Sequence, residues 1–432
     1  MKIGIIGMTT TGLAAGAALA NAGFETLLYC PDDEEAAEFL DGNLPVYEQG
    51  LQAMTASAAR SGNMRFVQRM EPALDTELVL FAQRLLPEKE TEAALRFILR
   101  DIETAARKIG RDTNAAVLTC LPPGSYRILS GRAEETSVGA DDQNNTEEAV
   151  ENKPARLGLS LMPCAAAPGQ TAAWFRAPSP ALIGTENPDT AGIMREVLRR
   201  LGASRKKIRT ASPEQVEEAV WLKRGLDLTL SLFAGEAKTK GISPLFSGIC
   251  ENLRLPEAGL LHERENLEVF ADLLEQPMLD SALEQARFQN ESYIDGIVEA
   301  VERAAEKAEI KLSDETAAVT GLAQYPGSGE MRGAAQVQLL ESLVHSGLKL
   351  RIFVSEGTAD LKWRLRAVSD RITFCQSLPE ACDDAKFLIL AGKTKAGLNL
   401  SRLSGKMQKV PILIDPFDTA CGRKGADLFI RS

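Results

Sequence analysis

The first thirty residues of the chain constrain its fold more than any other segment. Residues 2–6 form a short apolar run, which is typical of a strand buried inside a parallel sheet. Gly7 and Gly12 follow, and an alanine-rich segment at 13–22 precedes a second apolar run at 25–29. The order strand, glycine turn, helix and strand predicts a βαβ unit. We therefore predict the α/β fold class, with a doubly wound sheet at the start of the chain.

The same alternation of strands and helices begins again near residue 317, and the segment before it has a helical composition. The sequence therefore predicts a Rossmann-like domain at 1–205, a central region of long helices at 206–312 and a second Rossmann-like domain at 313–432. Within the first domain, residues 133–155 are acidic and polar, which predicts a surface loop. A docking element is the alternative interpretation of this segment.

Composition narrows the classes of function. The 432 residues carry a net charge of −11, so neither nucleic acid nor an anionic membrane is an expected partner. We find no stretch of about 18 apolar residues that would span a membrane and no signal-peptide pattern. The seven cysteines lack CxxC spacing and only two histidines occur. We therefore predict a cytoplasmic protein with reduced thiols and no metal site.

The turn after the first strand reads GMTTTG from Gly7 to Gly12. In a dinucleotide-binding turn the first glycine permits the tight bend, the second admits the pyrophosphate, and the third lets helix and strand pack closely. Gly7 and Gly12 keep the first and third roles, whereas Thr9 takes the second position. The hydroxyls of Thr9, Thr10 and Thr11 could bind an anion at the helix N-terminus or simply cap the helix.

The segments around this turn resemble the UDP-glucose and GDP-mannose dehydrogenases. The turn continues into Leu13, Gly16 and Ala17, and residues 44–51 read LPVYEQGL, where that family reads GxGYVGL and IPIYEPGL. Further matches follow the family's order along nearly the whole chain, at residues 64–66, 121–125, 162–169, 229–236 and 321–332.

The resemblance implies a defined chemistry. Enzymes of this family oxidise a sugar alcohol twice with two NAD molecules, and they hold the aldehyde as a thiohemiacetal on a cysteine. It implies an N-terminal domain of the NAD-binding type and a C-terminal domain of the UDP-sugar-binding type. Because family members dimerise through the central helix, it also implies a homodimer formed by residues 206–312.

Positions that match the family's catalytic residues carry other side chains here. The nucleophile falls on Leu261 or His262, the general-base glutamate on Cys164, and the oxyanion lysine on Val220. Lys223 lies one helical turn beyond Val220 on nearly the same face, so it could replace the lysine. The resemblance therefore implies that catalysis by the family's mechanism is lost.

The binding positions depart as well. Cys30 replaces the acid that holds the adenosine ribose, although Asp32 is close enough in sequence to take its role. These departures place NAD binding in doubt. The resemblance puts the cofactor-binding positions at Gly7, Thr9, Thr10, Thr11, Gly12, Asp32 and Cys120, and the substrate-binding positions at Arg224, Tyr325 and Arg332.

Each unusual residue has a simpler interpretation. Cys164 could be a relocated nucleophile, or a small apolar residue in an alanine-rich turn. Lys223 could be a shifted catalytic lysine or a solvated one, and His262 an acid/base group or a surface histidine. Arg332 could grip a nucleotide diphosphate or belong to a structural turn.

Three functions follow as hypotheses. The first is a pseudoenzyme that binds a nucleotide sugar or a partner protein and has a regulatory or assembly role in sugar-nucleotide or polysaccharide metabolism. The second is an active NAD(P)-dependent oxidoreductase on a nucleotide sugar with a rebuilt site. The third is a structural subunit of an oligomer. Fold alone does not choose among them.

Overall fold

The structure is a computed structural model, and it describes residues 1–40, 44, 48–86, 90–139, 155–166, 169–223, 277–322, 335–354, 358–392, 398–415 and 429–431. The described residues fall into two compact units. The first ends at residue 223 and the second begins at residue 277. Each unit contains one sheet.

The first unit contains an eight-stranded sheet of order β3-β2-β1-β4-β5-β6-β7-β8. Its strands are β1 (Lys2–Ile6), β2 (Glu25–Tyr29), β3 (Met64–Val67), β4 (Leu78–Phe81), β5 (Thr113–Val117), β6 (Leu157–Leu161), β7 (Ala181–Gly184) and β8 (Ile208–Ala211). Neighbouring strands are parallel except β6 and β7, which are antiparallel.

The helices of this unit connect the strands. They are α1 (Thr10–Asn21), α2 (Asp33–Leu40), α3 (Leu51–Ser61), α4 (Glu71–Leu74), α5 (Thr91–Ala94), α6 (Arg96–Lys108), α7 (Ser125–Gly139), α8 (Thr171–Arg176) and α9 (Pro188–Arg200), followed by α10, described over 213–223. A short 3-10 helix at Arg205–Lys207 leads into β8.

The strand order reverses at β1. From β1 the chain builds outward to β2 and β3 on one side, and then returns to place β4 on the other side. In open α/β sheets such a switch point leaves a crevice at the carboxyl ends of the two strands. The candidate site therefore lies where β1 and β4 end.

Alternate residues of the strands supply two apolar cores. Ile5 packs in a cluster with Leu13, whereas its neighbour Ile6 packs in another cluster with Phe81. Because successive strand side chains point to opposite faces, these clusters lie on the two sides of the first sheet. Burial on both faces explains why the strands read as apolar runs rather than as alternating patterns.

The second unit contains a six-stranded sheet of order β11-β10-β9-β12-β13-β14, in which all pairs are parallel. Its strands are β9 (Thr316–Thr320), β10 (Lys349–Ile352), β11 (Ile372–Phe374), β12 (Phe387–Leu390), β13 (Ile412–Ile414) and β14 (Ile430–Arg431). Its helices are α11 (Pro277–Lys307), α12 (Ala335–His345), α13 (Thr358–Arg364), α14 (Leu378–Ala381) and α15 (Leu400–Ser404), with 3-10 helices at Leu312–Asp314 and Arg366–Arg371.

The predicted α/β class with two doubly wound sheets is confirmed, and so is the βαβ unit at the chain start. The three-region division stays a prediction, but the first sheet includes β8, which lies beyond the predicted boundary at residue 205. No helix among the described residues is long and apolar enough to cross a membrane.

The prediction of a loop over 133–155 needs correction at its start. Residues 133–139 are the last turns of α7, and residues 140–154 lie outside the described part of the chain. The helix continues because Leu129, Ala133 and Ser137 are buried at a spacing of one turn, and the Ser137 hydroxyl donates to the Ala133 carbonyl. Because residues 133–139 are largely acidic and polar, their sequence did not indicate that one residue per helical turn is buried.

Candidate functional site

The glycine turn at the end of β1 has the tight packing that its sequence predicts. Gly7 has φ +117°, in the region that favours glycine, and a Cβ there would lie 2.8 Å from the Ala82 carbonyl carbon. A Cβ on Gly12 would lie 2.0 Å from the Gly7 carbonyl oxygen. Gly7 therefore serves the bend, and Gly12 lets α1 lie against the turn.

Thr9 is the N-cap of α1. Its backbone is extended, with φ −105° and ψ 169°, and its hydroxyl accepts the N–H of Gly12 at 3.2 Å. The same hydroxyl donates to the Ala82 carbonyl, just after β4, at 2.5 Å. Of the two interpretations of the threonines, helix capping is the one that Thr9 adopts, and Thr10 and Thr11 form the first turn of α1 beside it.

A buried thiol occupies the end of β2. Cys30 is 0 % exposed, and its single S–H proton can be donated to either of two acceptors, the Asp32 carbonyl oxygen at 3.3 Å or Oε2 of Glu35 at 3.6 Å. Burial raises the pKa of the Cys30 thiol to about 11, so the group is neutral near pH 7. Asp32 is exposed, and its Oδ1 accepts the N–H groups of Glu34 and Glu35 in the first turn of α2.

Cys120 and Cys164 follow the carboxyl ends of the neighbouring strands β5 and β6. The Cys120 thiol donates to the Cys164 carbonyl at 3.4 Å. Burial raises the pKa of the Cys164 thiol well above its usual value, so the nucleophilic thiolate form is disfavoured. This setting suits the small-residue interpretation of Cys164 better than the nucleophile interpretation.

Sequence reasoning did not assign a role to Glu48, which is buried at the start of α8. Glu48 is 4 % exposed, and its Oε1 accepts the N–H of Ala172 in the first turn of α8. Burial raises the pKa of Glu48, while hydrogen bonds from Ala172 and Thr171 act in the opposite direction. The available signal was its position as the one carboxylate in the LPVYEQGL segment.

Glu48→Ala is expected to lower the free energy of unfolding by about 2 kcal/mol, because it leaves buried N–H donors of α8 without an acceptor. Glu48→Gln keeps an acceptor oxygen and should cost less than about half of that. Urea denaturation followed by circular dichroism measures both. Equal stability of Glu48→Ala and the unchanged protein would contradict the capping role.

The position that the sequence resemblance matches to the family's lysine is apolar and buried. Val220 on α10 is 3 % exposed and packs in the core with Val216. Lys223, one turn further, is exposed at the end of the described part of the helix. The other predicted positions lie outside the described residues, namely Arg224, Leu261, His262, Tyr325 and Arg332.

The structure thus places part of the predicted cofactor site together at the carboxyl edge of the first sheet. The turn from Gly7 to Gly12 follows β1, Asp32 follows β2, and Cys120 follows β5. Within the described ranges, no group of three or more histidine, cysteine, aspartate or glutamate side chains could hold a metal ion.

Comparison with known proteins shows which family the sequence resembles. Residues 1–202 match the sequence model of the UDP-glucose/GDP-mannose dehydrogenase family, NAD binding domain. The UDP-glucose 6-dehydrogenase of Pseudomonas aeruginosa is 22% identical over 440 residues, covering 96% of this chain and 93% of that protein. The match to the UDP-glucose 6-dehydrogenase of Rhizobium meliloti is 24% identical but spans only 33% of each chain.

Solved structures with the same fold include two nucleotide-sugar dehydrogenases. The UDP-glucose dehydrogenase of Pyrobaculum islandicum superposes with a TM-score of 0.79 at 18% identity, covering 100% of this chain and 96% of that one. The UDP-D-ManNAc dehydrogenase of Pyrococcus horikoshii gives 0.76 at 15% identity, with 100% and 99% covered. At such identities the likeness concerns the fold. Residues 1–202 therefore resemble the NAD binding domain of the UDP-glucose/GDP-mannose dehydrogenase family in sequence, and the whole chain shares its fold with nucleotide-sugar dehydrogenases.

Proposed function

We propose that this protein is a pseudoenzyme of the family, which has kept the scaffold and lost dehydrogenase activity, and which acts by binding a nucleotide sugar or a partner protein. The observation that carries the proposal is that the protein's own side chains occupy the helix N-termini around the cleft. Thr9 caps α1, Asp32 caps α2, and Glu48 caps α8.

The cap of α1 affects NAD binding, because the pyrophosphate of NAD binds at the N-terminus of the first helix of such folds. In this chain the Thr9 hydroxyl already takes the Gly12 N–H and also binds the Ala82 carbonyl. Its β-branched side chain stands at the position where a glycine would let the pyrophosphate approach the backbone. The turn therefore fits NAD poorly.

The ribose position fits poorly as well. A carboxylate after the second strand normally accepts the ribose hydroxyls, but Cys30 is a buried thiol directed at Asp32 and Glu35. Asp32 uses Oδ1 to cap α2. The N-terminal domain thus keeps the shape of a cofactor site without two of its main contacts.

Among the described residues, the positions matched to the base and the lysine of the dehydrogenase reaction carry other side chains. Oxidation of an alcohol needs a base, and the second oxidation needs a thiolate nucleophile. At the matched base position the Cys164 thiol is held protonated by burial. Val220, at the position matched to the lysine, packs in the core, so that position has no positively charged side chain.

A second candidate is an active NAD(P)-dependent oxidoreductase on a nucleotide sugar, with Glu48 as a new acid/base group. One observation favours it. Glu48 is a buried carboxyl group with a raised pKa, and it lies close enough to Cys164 to influence the pKa of that thiol. Such carboxyl groups often serve as general acids or bases. Its capping of α8 speaks against a free catalytic role.

The deciding experiment measures NADH or NADPH formation at 340 nm with UDP-glucose as the substrate. It also measures the thermal unfolding midpoint with NAD, NADP or UDP-glucose added alone. We expect no turnover and no shift with NAD. A ligand at about 100 times its Kd would stabilise the fold by roughly 2.7 kcal/mol and move the midpoint by a few degrees. A shift with UDP-glucose alone would support a binding role.

Turnover with either cofactor would refute the pseudoenzyme proposal. In that event the Glu48→Gln variant tests the second candidate, because loss of turnover in a variant that remains folded at the assay temperature would assign the acid/base role to Glu48. A homodimer formed through residues 206–312 and a cytoplasmic location also remain proposals, and sedimentation of the purified protein tests the first.

A further inference from the structure

The N-terminus of α7 is held by a side chain that lies about ninety residues further along the chain. The first N–H groups of a helix have no partner within it. Here the N–H of Gly124 donates to Oε2 of Glu217 at 3.0 Å, and the N–H of Tyr126 donates to Oε1 at 2.5 Å. The two carboxyl oxygens of Glu217, on α10, therefore each accept one backbone N–H at the start of α7.

The surroundings of Glu217 fix this contact. Glu217 is 2 % exposed, and its neighbour Val216 packs in the same apolar cluster as Leu121 and Leu129. The start of α10 is set by reciprocal hydrogen bonds between Ser212 and Gln215, which form a capping box. Glu217 thus faces α7 from the second turn of α10.

Local residues do not supply this acceptor. Gly124 precedes α7 with φ +85° and has no side chain to cap the helix. Ser125 is fully buried, and within the described part of the chain its hydroxyl has no hydrogen-bond partner. Helix N-termini favour a negative group, so the carboxylate from α10 fills the place of the missing cap.

Glu217 makes this contact although burial disfavours its charged form. Burial raises the pKa of Glu217 to about 7, against the lowering effect of the two N–H donors. Glu214 also raises it, and Arg127 lowers it.

We propose that Glu217 is the positioning residue of the cleft rim, defined as residues 120–126, and that it holds this rim to α10 by filling the anion-binding N-terminus of α7. The rim follows β5 and carries Cys120, whose thiol contacts the carbonyl of Cys164. The inference does not depend on whether the protein is a pseudoenzyme, because it concerns the position of the rim and not catalysis.

Hydrogen–deuterium exchange on peptides spanning 121–129 tests the proposal. In Glu217→Ala we expect the amides of Gly124 and Tyr126 to exchange at least about tenfold faster, because both lose their acceptor. Glu217→Gln should be intermediate, since its amide oxygen accepts one N–H and its amide nitrogen opposes the other.

Added acetate provides the decisive readout. In Glu217→Ala, acetate can enter the vacated N-terminus and should slow exchange toward the original rate, whereas sodium chloride of the same ionic strength should not. Exchange in the unchanged protein should not respond to acetate. General loosening of the fold would not be reversed by a carboxylate.

Glu214→Ala is the matched control, because Glu214 lies on the same helix and forms a largely exposed ion pair with Arg127 on α7 at 3.5 Å. In Glu214→Ala, hydrogen exchange at residues 124 and 126 should equal that of the unchanged protein. Equal exchange in the unchanged protein and in both Glu217 variants would overturn the proposal, as would acceleration that acetate does not reverse. If Glu217→Ala does not fold, acceleration at only one of the two amides in Glu217→Gln supports the proposal and no acceleration overturns it.

Discussion

Gly12→Ala is expected to lower the free energy of unfolding by about 3 kcal/mol, because the new methyl group collides with backbone and not with a movable side chain. A Cβ at this position would lie 2.0 Å from the Gly7 carbonyl oxygen and 3.2 Å from the Cβ of Ala82. To relieve the overlap, α1 must move away from the glycine turn, and the Thr9 cap moves with it.

Gly192→Ala is the matched control, since it makes the same substitution in α9, where a Cβ has nothing within 4 Å. There the better helix propensity of alanine should stabilise the protein by up to about 1 kcal/mol. Urea unfolding of both variants tests the contrast in sign. A Gly12→Ala protein as stable as the original would mean that Gly12 does not fix the packing of α1.

Cys30→Asp is expected to destabilise the protein by about 3–5 kcal/mol near pH 7, because it places an unpaired charge in a buried position. Cys30 is 0 % exposed, and its sulfur lies 3.6 Å from Oε2 of Glu35. An aspartate there would be desolvated and repelled by that carboxylate. The substitution restores the residue type that the family resemblance predicts, so it tests whether the pocket still accommodates an acid.

The loss should shrink as the pH falls, and this dependence separates charge from shape. Desolvation raises the folded-state pKa of the new carboxyl group above its unfolded value of about 3.9, so the penalty is present above the folded pKa and disappears below the unfolded one. Unfolding at pH 7.5 and at pH 5 measures the difference, with Cys30→Ser as an uncharged control of similar size. Full stability of Cys30→Asp at pH 7.5, or a midpoint shift with NAD in that variant, would show that the ribose site is still usable.

Much of the architecture could be predicted because it depends on local pattern. The apolar run at 2–6, the glycine turn and the run at 25–29 gave a βαβ unit whose strands have those bounds. Strand β12 at Phe387–Leu390 likewise coincides with an apolar run in the sequence. A strand buried on both faces must be apolar throughout, so its composition is visible without knowledge of its neighbours.

Elements with mixed surroundings were less visible. The last turns of α7 were assigned to an acidic loop, since only one buried residue per turn distinguishes them from a solvated segment. β8 lies beyond the predicted boundary at residue 205, and with Arg209 and Thr210 exposed at an edge of the sheet it lacks the apolar signal of a central strand. In both cases a minority of contacts decided the structure.

The sequence by itself determined the fold class and the glycine turn. The tertiary structure alone decided which distant carboxyl groups cap the helix N-termini. It brought Glu48 to α8 across 124 residues and Glu217 to α7 across more than 90. A hydrogen-bond acceptor is defined by a distance of about 3 Å in space, and no local pattern encodes which helix N-terminus a distant carboxylate will reach. The same glutamates read as ordinary charged residues in the sequence, and they became buried caps only when the sheet brought their helices together.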